Sequence, residues 1–279
     1  MNSRSALGGL LLGIVGISIG TLLVRFSETG PVATGVWRLA LSLPVLAWCA
    51  RGQRLAHPGL AVTTGAFFAL DLGFYNIAIM LTSLANAALL SNLAPALVTV
   101  AAVAAGLARG GWATWAALGL ALGGAALLTQ ASTGGLHLSG DLCALASAVG
   151  YAGYQLGAQR LRRDTPTAVI MLVGGAVGVC VLLPTAWLLG ETLMPVSGQG
   201  WLTVLAISVC GQLLGQVLIV RALAHLSPAF SSLALLGQPT VVALAAWPLA
   251  GEALGWWQGL GAALLLAGVV WAQRIHCRA

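Results

Sequence analysis

Apolar residues run through this chain in stretches of about twenty, the length an α-helix needs to cross roughly 30 Å of hydrocarbon. The stretches cover approximately Ala6–Val24, Pro31–Ala50, Gly59–Leu81, Leu84–Leu107, Trp112–Gln130, Leu138–Arg160, Thr167–Leu189, Gly200–Leu223, Pro228–Ala250 and Gly255–Gln273, separated by short segments rich in Gly, Pro, Ser and Arg. The pattern predicts an all-α integral membrane protein of ten transmembrane helices joined by short connections. Arg4 ahead of the first apolar run imitates a secretory signal. Nine further stretches follow with no soluble region between them, so the first is expected to be retained as a span.

The last two-fifths of the chain repeat its middle without a gap. At an offset of 144 residues Ala78 matches Ala222, Ser83 matches Ser227, Pro95 matches Pro239, Trp112 matches Trp256 and Gly124 matches Gly268. At an offset of 135, Arg25 matches Arg160 and Pro31 matches Pro166, so about nine extra residues are expected in the second half, at Glu191–Gly200, the longest expected outer loop. The chain therefore divides into residues 1–136 and 137–279, each a five-span repeat. Five is odd, so two such repeats in tandem must lie upside down relative to one another, around a central cavity, as in many alternating-access carriers.

Composition changes the picture only by fixing the solvent. Hydrophobic residues make up 59% and charged residues 6%, with a mean hydropathy of +0.97. An ordinary globular domain carries about 25% charged residues. There is no Lys; all twelve basic residues are Arg. With the N-terminus on one side, that side holds Arg4, Arg51, Arg54, Arg109, Arg160, Arg162, Arg163, Arg221, Arg274 and Arg278, the other holds Arg25 alone, and Arg38 falls inside a span. The positive-inside rule then places both termini in the cytoplasm, with the chain in a bacterial inner membrane. The pI of 9.6 follows from topology, and nucleic acid is not expected as a partner.

Cys49, Cys143, Cys180, Cys210 and Cys277 are scattered without metal-ligand or redox spacing, so no metal and no cofactor are expected. Glycines four apart, such as Gly16 and Gly20, Gly153 and Gly157, or Gly211 and Gly215, allow helix backbones to approach closely in lipid.

Ionisable residues at membrane depth are costly and mark functional sites by default. Two occur: Arg38, seven residues in from Pro31, and Asp71, about ten residues below the outer end of the third span. Their depths differ by only some 5 Å at 1.5 Å rise per residue, so they are expected either to form a buried ion pair or to act separately. In the separate reading Asp71 is a proton carrier or amine ligand and Arg38 a carboxylate ligand. Polar side chains also recur at helical spacing: Asp71 and Tyr75 with Phe74 beside them, Ser91 and Asn92, Tyr151 and Gln155 with Tyr154, Gln212 and Gln216, and Ser231 with Gln238. Any one of these serves equally well as an interhelical hydrogen bond. Together they line an amphipathic cavity suited to an uncharged or zwitterionic metabolite with an apolar body. A single intramembrane Arg argues against phosphorylated substrates. Pro95 and Pro239 each remove a helical hydrogen bond and are the expected bending points for gating.

Ten spans in two repeats, Pro31, Trp37 and Arg38 in a Pro-x-x-x-x-x-Trp-Arg element, prolines 95 and 239 in the fourth span of each half, and Gly251-Glu252 followed by Trp256 resemble the EamA type of the drug/metabolite transporter superfamily. Within it the chain looks like the bacterial exporters of aromatic and other neutral amino acids, the YddG group. The resemblance implies a secondary transporter of small amphipathic metabolites, with Trp37 on the substrate path and lipid and small molecules as partners. A multidrug cation exporter of the same fold is the alternative. The sequence leaves the oligomeric state open, monomer included. An intramembrane hydrolase is disfavoured although Gly16-Ile17-Ser18-Ile19-Gly20 fits a nucleophile elbow, because His57, His137, His225 and His276 all fall near span ends. No phosphate loop supports ATP-driven transport. A channel or scramblase is disfavoured by the paired prolines.

Overall fold

The fold is given by a computed structural model, which describes residues 3–24, 26–82, 87, 90–106, 111–129, 138–238, 241 and 256–278. Pro239, Arg25, Arg109, Ser83, His137 and Gly251-Glu252 lie outside these residues. Among the described residues the only regular secondary structure is helix, joined by turns and short loops. Helices α1 (Ser3–Val24), α2 (Pro31–Ala40), α3 (Leu43–Cys49), α4 (Pro58–Leu81), α5 (Ala94–Ala104) and α6 (Trp112–Thr129) are followed by α7 (Leu138–Leu161), α8 (Thr167–Leu188) and α9 (Gly198–Ile207). A π-helical segment, Ser208–Gln216, then runs into α10 (Val217–Leu223), and α11 (Pro228–Leu235) and α12 (Trp256–Arg278) follow. Every one of the ten apolar stretches contains helix.

Among the described residues five helices, Ser5–Val24, Pro31–Cys49, Pro58–Ala78, Thr167–Leu188 and Gly198–Leu223, are long and apolar enough to span a bilayer. Their outward faces carry leucines and valines such as Leu11, Leu12, Val15 and Leu183, and Trp48, Trp112, Trp187 and Trp256 stand exposed at helix ends. Apolar faces flanked by tryptophan at the rims are those of a multi-pass membrane protein.

Proline sets several starts. Pro31, Pro58 and Pro228 open α2, α4 and α11, where a missing N–H costs nothing because the first helical amides have no partner in the helix. Two stretches expected to be continuous are divided for the same reason. In the second span, Pro44 cannot donate back into α2, so the helix turns at Leu41-Ser42 and restarts, and the Ser42 hydroxyl donates to the Leu39 carbonyl at 2.6 Å. In the fourth, a turn at Asn92-Leu93 precedes α5, and Pro95 occupies its first turn rather than the middle of a continuous helix. Pro184, inside α8, is an interior proline that the sequence reading passed over.

Packing joins the two halves of the chain. Helix α4 lies along α7, α1 lies along the π-helical segment and α10, and α6 lies along α12. Small residues make these crossings close: a Cβ on Gly16 or Gly20 would press on the backbone of Cys210, Gly211 or Gly215, one on Gly150 on the backbone of Asp71, and one on Gly124 on the backbone of Leu265. One apolar core gathers α1, α6, α11 and α12, and a second gathers α2, α3, α4, α7 and α8. Tyr151 packs against both, which puts the polar face of α7 at the seam between them.

Candidate substrate-binding site

Polar side chains converge on that seam. Arg38, in the last turn of α2, is held by the π-helical segment: its Nε donates to Gln212 Oε1 at 3.2 Å and its Nη2 to the Gly211 carbonyl at 3.4 Å. The backbone is tied as well, since Ser208 Oγ donates to the Arg38 carbonyl at 2.9 Å. A π-helical stretch is a rare, wide backbone that recurs at functional sites. Here it brings Gln212 and Gly211 to the guanidinium and Ser208 to the backbone carbonyl of the same arginine.

Asp71, on α4, accepts a hydrogen bond from Ser147 Oγ of α7 at 2.7 Å. Ser91 joins this chain, with its hydroxyl 3.4 Å from Ser147 Oγ and from the Ala144 carbonyl. Arg38 and Asp71 act on each other electrostatically but form no ion pair, and both remain half-buried. Of the two alternatives, the direct ion pair is not the one formed. The sequence placed the two charges at similar depth, whereas helix packing turns Arg38 toward the π-helical segment and Asp71 toward α7. Tyr151 lies within electrostatic reach of both.

The remaining candidates separate into groups. Tyr154 Oη accepts from Gln216 Nε2 at 2.9 Å, donates to Met171 Sδ at 3.8 Å, and the ring stacks on Phe68 with centroids 4.5 Å apart. Those two residues satisfy each other and read as structure. Gln159, one helical turn beyond Gln155 on α7, donates to the Leu223 and Leu226 carbonyls at 3.2 and 2.7 Å and is likewise occupied. Gln155 differs: it is 2% exposed, and neither end of its amide has a partner. Gln212 Nε2 and Asn92 Nδ2 are also buried and unpartnered. A buried amide left without a hydrogen bond costs about 1–3 kcal/mol, so these atoms hold unused capacity to bind a polar group. Phe74 and Tyr75 stand half-buried on α4 next to Asp71 in sequence.

Two candidates lie away from this cluster. Trp37 Nε1 donates to the Leu193 carbonyl at 2.7 Å and its ring meets Trp201 edge-on at 4.8 Å, so it anchors the connection between α8 and α9. Gln238 is bound to α1, donating to Thr21 Oγ1 at 3.3 Å while its carbonyl accepts from Ser18 Oγ at 3.4 Å. Ser18 also donates to the Ile14 carbonyl at 2.8 Å, back into its own helix, which is no geometry for a nucleophile.

The sequence missed Ser147 and Ser208, whose hydroxyls bind the Asp71 carboxylate and the Arg38 backbone carbonyl. A signal was available in each case: Ser208 precedes Gln212 by four residues, and Ser147 precedes Tyr151 by four. It also missed two loop carboxylates. Glu191 accepts from Val32 N at 3.2 Å and Ala33 N at 2.7 Å, capping α2, and Glu28 accepts from Val196 N and Ser197 N, both at 2.9 Å, and from the Ser197 hydroxyl, at the start of α9.

Comparison with known proteins adds the following. No curated protein sequence matches the chain. A solved crystal structure of a protein is similar over 99% of this chain and 98% of its own, with a TM-score of 0.81 and 21% identity, a likeness of fold. Residues 138–273, which hold α7 to most of α12 and with them Ser147, Tyr151, Gln155 and Gln212, match the model of the EamA-like transporter family, so the second half of the chain is similar to a membrane transporter domain of that type.

Proposed function

We propose that the protein is a secondary transporter that exports small amphipathic metabolites, aromatic and other neutral amino acids foremost, across a bacterial inner membrane by alternating access. The observation that carries the reading is the seam cluster. In a bundle that is otherwise apolar, one cation, one carboxylate and two unpartnered amides, Gln155 and Gln212, gather beside Tyr151. Few charges with amide and aromatic walls suit a ligand with an apolar body and a small polar head. The family match of the second half supports transport of a small molecule.

Ten spans in two inverted repeats, with both termini in the cytoplasm, complete the proposal. The packing pairs support it. Under the repeat the first and third spans correspond to the sixth and eighth; α1 packs on the eighth, and α4, the third, packs on the sixth. An exchange of this kind is what a pseudo-two-fold axis in the membrane plane produces.

Purified protein in proteoliposomes tests the function. Saturable uptake and counterflow of radiolabelled tryptophan, leucine or alanine is the expected result, and the absence of counterflow for every amino acid refutes the substrate. A second reading, export of organic cations, has Asp71 beside Phe74 and Tyr75 in its favour, since an aromatic-flanked carboxylate attracts quaternary ammonium. Better competition by tetraphenylphosphonium or ethidium than by amino acids would select it.

A further inference from the structure

Two pairs of connections join the halves of the chain, and they are joined unequally. At one end Glu28, between α1 and α2, accepts from Val196 N and Ser197 N, both at 2.9 Å, at the start of α9. Glu191, between α8 and α9, answers by accepting from Val32 N at 3.2 Å and Ala33 N at 2.7 Å at the start of α2. Two glycines make room for the exchange: a Cβ on Gly30 would overlap the Glu191 carboxylate, and one on Gly200 the Glu28 carboxylate. The Gly30 amide also donates to the Thr192 carbonyl at 3.1 Å.

The other end carries the counterparts of these groups. At the offset of 135 Pro31 matches Pro166, so the α7–α8 connection corresponds to the α1–α2 connection, and His57 precedes α4 as Ser197 precedes α9. Among the described residues one polar contact joins the connections here: His57 Nε2 lies 3.5 Å from Asp164 Oδ2, with both side chains more than half exposed. Helix α8 starts after Pro166 with no side-chain cap, where α2 has Glu191. Beside His57 a cavity of about 420 Å³ remains, lined also by Ala56, Pro58, Gly59, Leu60 and Arg160.

We propose that these two pairs of connections are exchangeable latches: Glu28 and Glu191 shut the outer end in this structure, and His57 with Asp164 shuts the cytoplasmic end in the alternative state. The assignment rests on the inverted-repeat transport reading and adds which end is shut here and which bonds must break to open it. An inverted repeat lets each half adopt the arrangement now held by the other. Opening the outer end therefore returns the first amides of α2 and α9 to water, while the α3–α4 and α7–α8 connections close over the cavity. The exchange is uneven. Four hydrogen bonds from amides to carboxylates are charge-assisted and outweigh one exposed, screened pair. The outer-closed state is favoured until a ligand binds the other state better.

Double electron–electron resonance on the full chain in proteoliposomes, without substrate, reads the outer gap directly. With the five native cysteines replaced by alanine, nitroxides are placed at exposed positions on the two outer connections through Phe26→Cys and Met194→Cys. One short-distance population is expected, and a predominantly long distance overturns the closed outer latch. Adding Glu28→Ala with Glu191→Ala should raise the share of a longer distance at least about tenfold, the equivalent of roughly 1.4 kcal/mol. Gly30→Ala with Gly200→Ala keeps both carboxylates but displaces them, and should act in the same direction. His57→Arg sets a permanent cation opposite Asp164 and should also raise the longer distance; it leaves every outer contact intact, so it decides the question if the alanine variants do not fold. Unchanged distances in folded, monodisperse alanine variants overturn the outer latch, and unchanged distances in His57→Arg overturn the cytoplasmic one. Counterflow in the same vesicles separates the latches from the carrier. Distances that shift as expected without transport of any amino acid sustain the latches and refute the carrier, and transport with distances that no variant moves does the reverse.

Discussion

Removing the Glu191 carboxylate should loosen the tie between the end of α8 and the start of α2, and the size of the effect follows from the local geometry. Helix α8 closes with Gly190 at φ 68°, the left-handed conformation of a helix C-terminus, with Gly190 N donating to Trp187 O and Glu191 N to Ala186 O. That turn aims Glu191 at the first turn of α2, where it accepts from two amides that have no partner within the helix, Val32 N at 3.2 Å and Ala33 N at 2.7 Å. Loss of a capping side chain costs about 0.5–2 kcal/mol, and loss of a negative charge at a helix N-terminus a further ~0.3–1 kcal/mol. Glu191→Ala is therefore expected to destabilise by about 1–3 kcal/mol in total, and Glu191→Gln, which retains an acceptor oxygen, by less. Gly30→Ala provides an independent check, because a Cβ there overlaps the Glu191 carboxylate and should displace it to similar effect. The measurement is reversible unfolding of the purified protein in mixed micelles with increasing SDS, followed by far-ultraviolet circular dichroism at pH 7. If Glu191→Ala and Gly30→Ala both fall within about 0.3 kcal/mol of wild type, the carboxylate contributes nothing as a cap and the reasoning is wrong.

Glu28 forms the reciprocal contact, and the Ser197 hydroxyl and amide hold its carboxyl below the usual carboxylate range. A depressed acid contributes stability that is complete above its unfolded value and is lost as pH falls through the folded one, so Glu28→Gln should lower stability at neutral pH, converge with wild type in acid, and thereby flatten the acid limb of the stability profile. Tyr154→Phe keeps the stacking on Phe68 but orphans Gln216 Nε2; it should cost about 1–3 kcal/mol in the same unfolding assay, and adding Gln216→Leu should restore most of the loss. Gly124→Ala places a methyl against the backbone of Leu265 and Gly261 and should destabilise by about 1–3 kcal/mol or abolish folded yield, where Gly119→Ala, which meets open space, should be neutral.

Much of the fold was legible because the chain is written for lipid. Backbone groups in hydrocarbon must be satisfied internally, so an apolar stretch of sufficient length has little choice but helix, and helix is present in all ten stretches. The stripes were legible in part: Tyr151 packs against both cores, and Gln212 meets Arg38. Periodicity identifies a face but not the neighbour it meets. Gln216 and Gln212 share a stripe, yet one is saturated by Tyr154 and the other has a free amide. Trp37 adjoins Arg38 in sequence but belongs to a loop anchor, and Gln238 is spent on α1.

The sequence by itself determined that the chain is helical and built for a membrane, because hydropathy and length act residue by residue and need no knowledge of what packs against what. Proline placement determined where several helices begin for the same local reason, although Pro184 lies inside α8 without ending it. Only the tertiary structure decided that Arg38 answers to Gln212 and Gly211 while Asp71 answers to Ser147. Only it showed a π-helical turn at Ser208–Gln216 and carboxylates capping helices from the opposite half of the chain. Those outcomes depend on which glycine faces allow two backbones to approach, and that is fixed when helices far apart in sequence choose their neighbours.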